Sequence, residues 1–193
     1  MVRSASVDKW QRYQQALLKA MGFDLFPTTD ATTWYQLLII PTFHPPSCLR
    51  LTFAVQEGEL SFCLLAHHHG DLFQAIWRED AEAELLANRR AKAARLEDIA
   101  ELNAAQVAGL EQQLATLEPL TLQDCDLTAR DGVSLRCDCQ HQNTRHTFSM
   151  RSPTRKELPR HAALSELFLE TAQTHFHHAQ IRDNLVSVAS YLR

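Results

Sequence analysis

The chain has 193 residues, which at roughly 150 residues per typical domain is one domain's worth, so a single domain spanning residues 1–193 is expected. Hydrophobic residues make up 45% and charged residues 22%, which excludes a disordered, collagen-like or coiled-coil chain. Lys plus Arg number 19 against 23 Asp plus Glu, a net charge of -4, so there is no global basic field and neither nucleic acid nor a membrane surface is an expected partner.

In chain order, Trp10, Tyr13, Leu17 and Met21 recur at steps of three and four and predict a first amphipathic helix that Gly22 stops. After the polar turn Pro27-Thr28-Thr29-Asp30, the aromatic and branched stretch Trp34 to Ile40 predicts a buried strand, ended by Pro41, Pro45 and Pro46. Leu49, Leu51, Phe53 and Val55, then Leu60, Phe62, Leu64 and Ala66, alternate with other residues and predict a hairpin turning at Glu57-Gly58. Leu72 to Trp77 fits a third strand or a short helix. From Asp80 to Leu117 the Ala-, Leu-, Glu- and Arg-rich composition predicts two helices, the second opened by the capping pair Asn103 and Gln106 and closed before Pro119. Cys125 to Ala129, Val133 to Cys139 and His146 to Met150 predict a three-strand meander, with turns at Asp131-Gly132 and Gln142-Asn143. From Pro159 onward, Leu164, Leu167, Phe168 and Thr171, then Ile181, Leu185, Val188 and Leu192, predict helix again. The order implies an α+β fold with a mainly antiparallel sheet, a hairpin plus the meander, packed with N-terminal, central and C-terminal helices.

Met1 to Gln15 carries no signal-peptide pattern, and Leu37-Leu38-Ile39-Ile40, the longest apolar run, is far below the ~20 residues of a membrane span. Five cysteines, Cys48, Cys63, Cys125, Cys137 and Cys139, are an odd set spread through the predicted strands, as reduced thiols are, and a cytoplasmic location is expected. The spacing of Cys137 and Cys139 puts both on one strand face, suited to metal binding or to core packing.

With five glycines no phosphate-cradling loop can be drawn, and neither a nucleophile elbow nor a helical zinc-protease motif occurs. Among the ten histidines two groups cluster, His67-His68-His69 with Asp71, and His175, His177 and His178. Strand alternation would put His67, His69 and Asp71 on one face as a two-His-one-carboxylate set, or they are a polar strand end. His175 and His178, three apart, would share a helical face that His177 leaves. His44 and Cys48 are the one close Cys/His pair in sequence, bridged by Pro45 and Pro46; His44 is expected to bond a carbonyl of the meander and pin the loop. Charge is uneven: Glu79 to Glu118 holds nine acidic and four basic residues, whereas the part from Cys125 onward holds nine basic and seven acidic. An acidic helical surface there would steer a basic protein partner, or would be an ordinary solvated face. Arg151, Arg155, Lys156 and Arg160 could grip a phosphate, but a charged loop is the favoured reading of the run.

Tyr35-Gln36-Leu37, followed by Pro41-Thr42-Phe43-His44-Pro45-Pro46, resembles the Y-x-L and P-x-F-H-P-P pattern of a group of small uncharacterised bacterial proteins. Asp131-Gly132 and His146-Thr147-Phe148-Ser149-Met150-Arg151-Ser152-Pro153 are similar to that group's D-G turn and H-x-F-x-x-R-S-P strand. The resemblance implies a shared fold and, by analogy, an immunity protein that neutralises a toxin by binding it. The leading expectation is therefore a non-enzymatic binding module that occludes a cognate toxin through Phe73, Trp77, Glu79, Asp80, Glu82 and Glu84, with His44, Pro45 and Pro46 as a structural loop. It requires no catalytic residue, cofactor or metal. The alternatives are a metal-dependent enzyme built on His67, His69 and Asp71, and a small-molecule sensor with a pocket between the sheet and the C-terminal helices.

Overall fold

A computed structural model describes residues 5–23, 33–54, 57–65, 69–125, 132–142 and 144–192. Six helices and six strands follow in the order α1 (Ala5–Met21), β1 (Thr33–Pro41), β2 (Ser47–Ala54), β3 (Glu57–Leu65), α2 (His69–Arg78), α3 (Ala81–Ala93), β4 (Arg95–Leu102), α4 (Ala104–Leu117), β5 (Val133–His141), β6 (Thr144–Arg151), α5 (Pro159–His175) and α6 (Ala179–Ala189). The strands form one antiparallel sheet in the order β4-β3-β2-β1-β5-β6, so the fold is α+β.

Strand alternation splits the sheet's side chains between two helical layers. Tyr35, Leu37 and Ile39 of β1, with Leu49, Leu51, Phe62, Leu135 and Phe148 of its neighbours, face α4, α5 and α6 and form the larger core with Val107, Leu114, Phe168 and Leu185. Leu38, Cys48, Cys63 and Leu65 face the other way and pack with Tyr13, Leu17, Leu72, Ile76 and Ala87 of α1, α2 and α3. Because β1 is covered on both faces, it reads as a nearly unbroken apolar run. The helices thus segregate by chain position, the first three on one side and the last three on the other.

Several expectations hold residue by residue. Gly22 stops α1 with φ +79°, a left-handed conformation in which glycine has no side chain to clash. Asn103 accepts from Gln106 N–H while the Gln106 side chain accepts from Asn103 N–H, a full capping box that starts α4. Other expectations are corrected. The Asp80 to Leu117 region holds a strand between its two helices: β4 places Leu96, Ala100 and Leu102 on the core side while Glu97, Ile99 and Glu101 face out. Its Glu- and Leu-rich composition favours helix, and pairing along β3 overrides that preference. Leu72 to Trp77 is helical, in α2.

Glu57 and Gly58 are strand residues rather than the hairpin turn, because they already pair with Ala54 and Phe53; Val55 lies outside the described residues. Gly58 serves packing instead: a Cβ there would stand 2.8 Å from Val107 Cγ2, so its absence lets α4 lie close on β3. Among the described residues the meander comprises β5 and β6. Cys125 makes only an isolated parallel bridge to Met150, and the rest of the expected first strand, with Asp131, lies outside the described residues, as do the Pro27 to Asp30 turn and Asn143.

Candidate functional site

The residues expected to bind a partner lie where α2 meets α3. Phe73 stacks on Trp77 at 4.4 Å between ring centroids and meets Tyr13 edge-on at 5.2 Å, and Tyr13 lies 5.6 Å from Trp10. This aromatic ladder runs from α1 to Trp77, which is 36% exposed. Further along the chain, Leu85 and Leu86 are also exposed. The carboxylates are less free than composition suggested. Glu79 bonds Lys9 Nζ at 2.8 Å, which holds its carboxyl below the ordinary range. Asp80 is the N-cap of α3 and accepts from Ala83 N–H at 2.9 Å, and Glu84 pairs with Arg12. Glu82 is exposed. Lys9 and Arg12 therefore offset two of the carboxylates around an apolar centre, and the remaining acidic character rests on Asp80 and Glu82.

A second feature is a cleft of about 1010 Å³ between α1 and the β5–β6 end of the sheet, lined by Trp10, Arg12, Gln15, Arg136, Thr147 and Arg151 among others. Beneath α1 a polar row crosses four strands through the paired positions Arg50, Gln36, Asp138 and Thr147. Arg50 donates to Gln36 Oε1 from Nε at 2.9 Å and from Nη2 at 2.5 Å, and its guanidinium lies 4.6 Å over the Phe23 ring. Arg136 bonds Asp138 at 2.9 Å, with Asp138 also accepting from Thr147 Oγ1 at 2.8 Å. Side chains of Arg136 and Asp138 are only 13% and 6% exposed, so each needs the other. The cleft lies on the N-terminal helical layer, opposite to the pocket expected beside the C-terminal helices.

At the cleft's wall, Cys125 Sγ is 3.7 Å from His161 Nε2. That ring nitrogen is 3.0 Å from the Gln123 carbonyl, which can only accept, so Nε2 carries the proton. No sequence signal joins Cys125 to His161, because 36 residues separate them. The pair noticed in sequence, His44 and Cys48, is not brought together: Cys48 is buried against α1–α3, whereas the His44 ring sits 5.9 Å from Tyr191. Nor does His44 tie the loop to the meander. Thr42 Oγ1 does so, donating to the Gly132 carbonyl at 2.8 Å, and the Pro45 carbonyl accepts from Asn184 at 3.1 Å. Phe43 of the same loop is 71% exposed.

The histidine groups are also rearranged. His69 and Asp71 sit in the first turn of α2, where residues two apart diverge by about 200°, and His67 lies outside the described residues. α5 ends at His175 and His178 is the N-cap of α6, so a helix break separates them; His175 Nε2 lies 3.5 Å from the Gln106 amide. Cys137 and Cys139 do share a face, and both are buried in the larger core. Of the basic run, Arg155 pairs with Glu166 at 2.6 Å, and Arg160 caps α4 by donating to the Leu117 carbonyl at 2.6 Å. No three His, Cys, Asp or Glu side chains among the described residues converge as a metal site. Among the described residues, no helix is long and apolar enough to cross a membrane. Compared with protein-family models and with curated proteins, the chain matches none.

Proposed function

We propose that the chain is a non-enzymatic protein-binding module, a cytoplasmic immunity protein of bacterial type that neutralises a cognate toxin by occluding it. The observation that carries this reading is the aromatic ladder ending in exposed Trp77, with Glu82 and the ion-paired Glu79 and Glu84 around it. An exposed indole backed by a half-buried ring, bordered by charge, is the anatomy of an interface anchor, and an interface of ~800 Å² per partner needs only a few such residues. Because Glu79, Asp80 and Glu84 are engaged within the chain, apolar contact at Trp77, Leu85 and Leu86 supplies the affinity and Glu82 the charge preference. All five cysteines are free thiols, four of them buried, which supports a reducing compartment.

Glu82→Lys tests the surface without removing an internal partner, Trp77→Ala also removes the ring stacked on Phe73 and is read well below its own melt, and Glu84→Lys is a poorer probe because it also breaks the Arg12 pair. Partner affinity should fall at least tenfold in Trp77→Ala and severalfold in Glu82→Lys at low salt, with both variants folded at the temperature of the assay. Full affinity in both would remove this surface. The cleft under α1, with its polar floor, favours a small-molecule sensor as the second reading, and a ligand that raises the melting temperature of wild type but not of Arg151→Ala would support it.

A further inference from the structure

The two edges of the sheet are finished differently. Along β6 the chain covers itself: Cys125 N–H donates to the Ser149 carbonyl at 2.9 Å, and the Asp124 carboxylate accepts from Ser149 N–H at 2.7 Å. β4, the opposite edge, pairs with β3 alone among the described residues. Leu65 N–H donates to the Pro46 carbonyl on the β2 side at 3.0 Å, so by alternation Leu64, Phe62, Leu60 and Gly58 turn their N–H and C=O toward β4 and meet Leu96, Asp98, Ala100 and Leu102. Arg95, Glu97, Ile99 and Glu101 therefore turn their backbone groups away from the sheet. The Asp98 carboxylate agrees with this, since it bends round to accept from Ile99 N–H at 2.9 Å. The side chain of Ile99 is 63% exposed and stands on the face that β3 shares through Glu57 and Glu59. Glu57, Glu59, Glu97 and Glu101 are all exposed there, and Arg95, the one cation of the two strands, is already bonded to Glu97 at 2.8 Å.

From this arrangement we propose that β4 is a docking edge for an extended basic segment of a partner protein, which adds to the sheet as a further, antiparallel strand. The outward backbone groups of Arg95, Glu97, Ile99 and Glu101 supply the ladder bonds, as an open strand edge does for an added strand. An apolar residue of the segment lies beside Ile99, and a Lys or Arg two residues to either side lies beside Glu97 and Glu101. A carbonyl of the segment replaces the Asp98 oxygen on Ile99 N–H, and the released carboxylate adds to the attraction. A second copy of the chain is the poorer occupant. Paired antiparallel about Ile99, it sets Glu97 opposite the second copy's Glu101; paired about Asp98, it sets the two Asp98 residues opposite each other. The edge belongs to β4 and the Trp77 surface to α2, so the two are tested apart.

The probe is the peptide Thr-Lys-Thr-Val-Thr-Lys-Thr, acetylated and amidated at its ends, titrated to millimolar concentration into the isotopically labelled full chain at low salt while the amide resonances are followed. The expected result is a set of shifts centred on Arg95, Glu97, Ile99 and Glu101. Replacing both lysines of the peptide by glutamate should weaken binding at least tenfold, and N-methylating its valine and lysine amides, which removes the ladder donors and keeps the charge, should abolish it. Glu101→Lys, which turns the like-charged pair with Glu59 into an opposite one and so keeps the fold, should weaken binding severalfold. Absence of shifts at β4, shifts centred on α2 instead, equal binding of the glutamate or the N-methylated peptide, or a concentration-dependent dimer joined through β4 without peptide would each overturn the proposal. The comparison among peptides stands even where the Glu101 variant fails to fold.

Discussion

Gly58 shows how one residue can be read correctly as special and wrongly as to why. Glycine in a strand pattern suggests a turn, and only the approach of Val107 to 2.8 Å of a would-be Cβ shows that the missing side chain is needed for α4 to dock. Gly58→Ala should therefore cost about 1–3 kcal/mol through overpacking. Adding Val107→Ala should return part of that loss, a non-additivity that urea unfolding of the single and double variants would detect. Asp138 makes the opposite kind of prediction. Its carboxylate neutralises a mostly buried Arg136, so Asp138→Ala strands a charge and should cost about 3–5 kcal/mol, whereas replacing both partners by apolar residues should cost much less. Neither pairing could be read from the chain alone, since periodicity assigns a residue to a face and leaves its neighbours in space unspecified.

At the scale of elements, the parts with a strong local signal were legible. The stripe of α1, the alternation of β2 and β3, the capping box of α4 and the two C-terminal stripes all rest on interactions within a few residues. β4 was not, because Leu96, Ala100 and Leu102 share a core side at a spacing that a helix former's composition masks, and its identity comes from pairing with β3. The candidate site divided in the same manner. Phe73 and Trp77 are adjacent on a helix and stack, as spacing allows, but the partners that neutralise Glu79 and Glu84 come from α1, more than 60 residues away. The buried thiols add an element-level prediction. Folding raises Cys63 and Tyr35 to about 12 from ordinary values of 9.0 and 10.0, so the folded state keeps protons that the unfolded chain has lost. Stability is then fully present below pH 9 and falls as pH rises, through Cys63 from 9 toward 12 and through Tyr35 from 10 toward 12, by about 1.4 kcal/mol per pH unit for each group within its own window. Chemical unfolding at a series of pH values should show that decline, and a flat profile across the window would contradict the burial of these groups.

For the whole molecule, the segregation of α1–α3 from α4–α6 gives the two sides of the sheet different work. The C-terminal layer closes over the larger apolar core, with Phe62, Phe148, Phe168 and Phe176 almost wholly enclosed. The N-terminal layer covers a floor that carries the polar row, leaves the cleft at its margin, and presents Trp77, Leu85 and Leu86 outward. The most direct measurement is affinity capture from a lysate of the cell that encodes the chain, with wild type beside Trp77→Ala and Phe43→Ala, all folded at the temperature of the assay. Wild type and Phe43→Ala should retain one protein at 1:1 stoichiometry that Trp77→Ala loses, and that protein should arrest growth when expressed alone but not when expressed with the chain. Capture unaffected by Trp77→Ala, or lost instead with Phe43→Ala, would contradict the account.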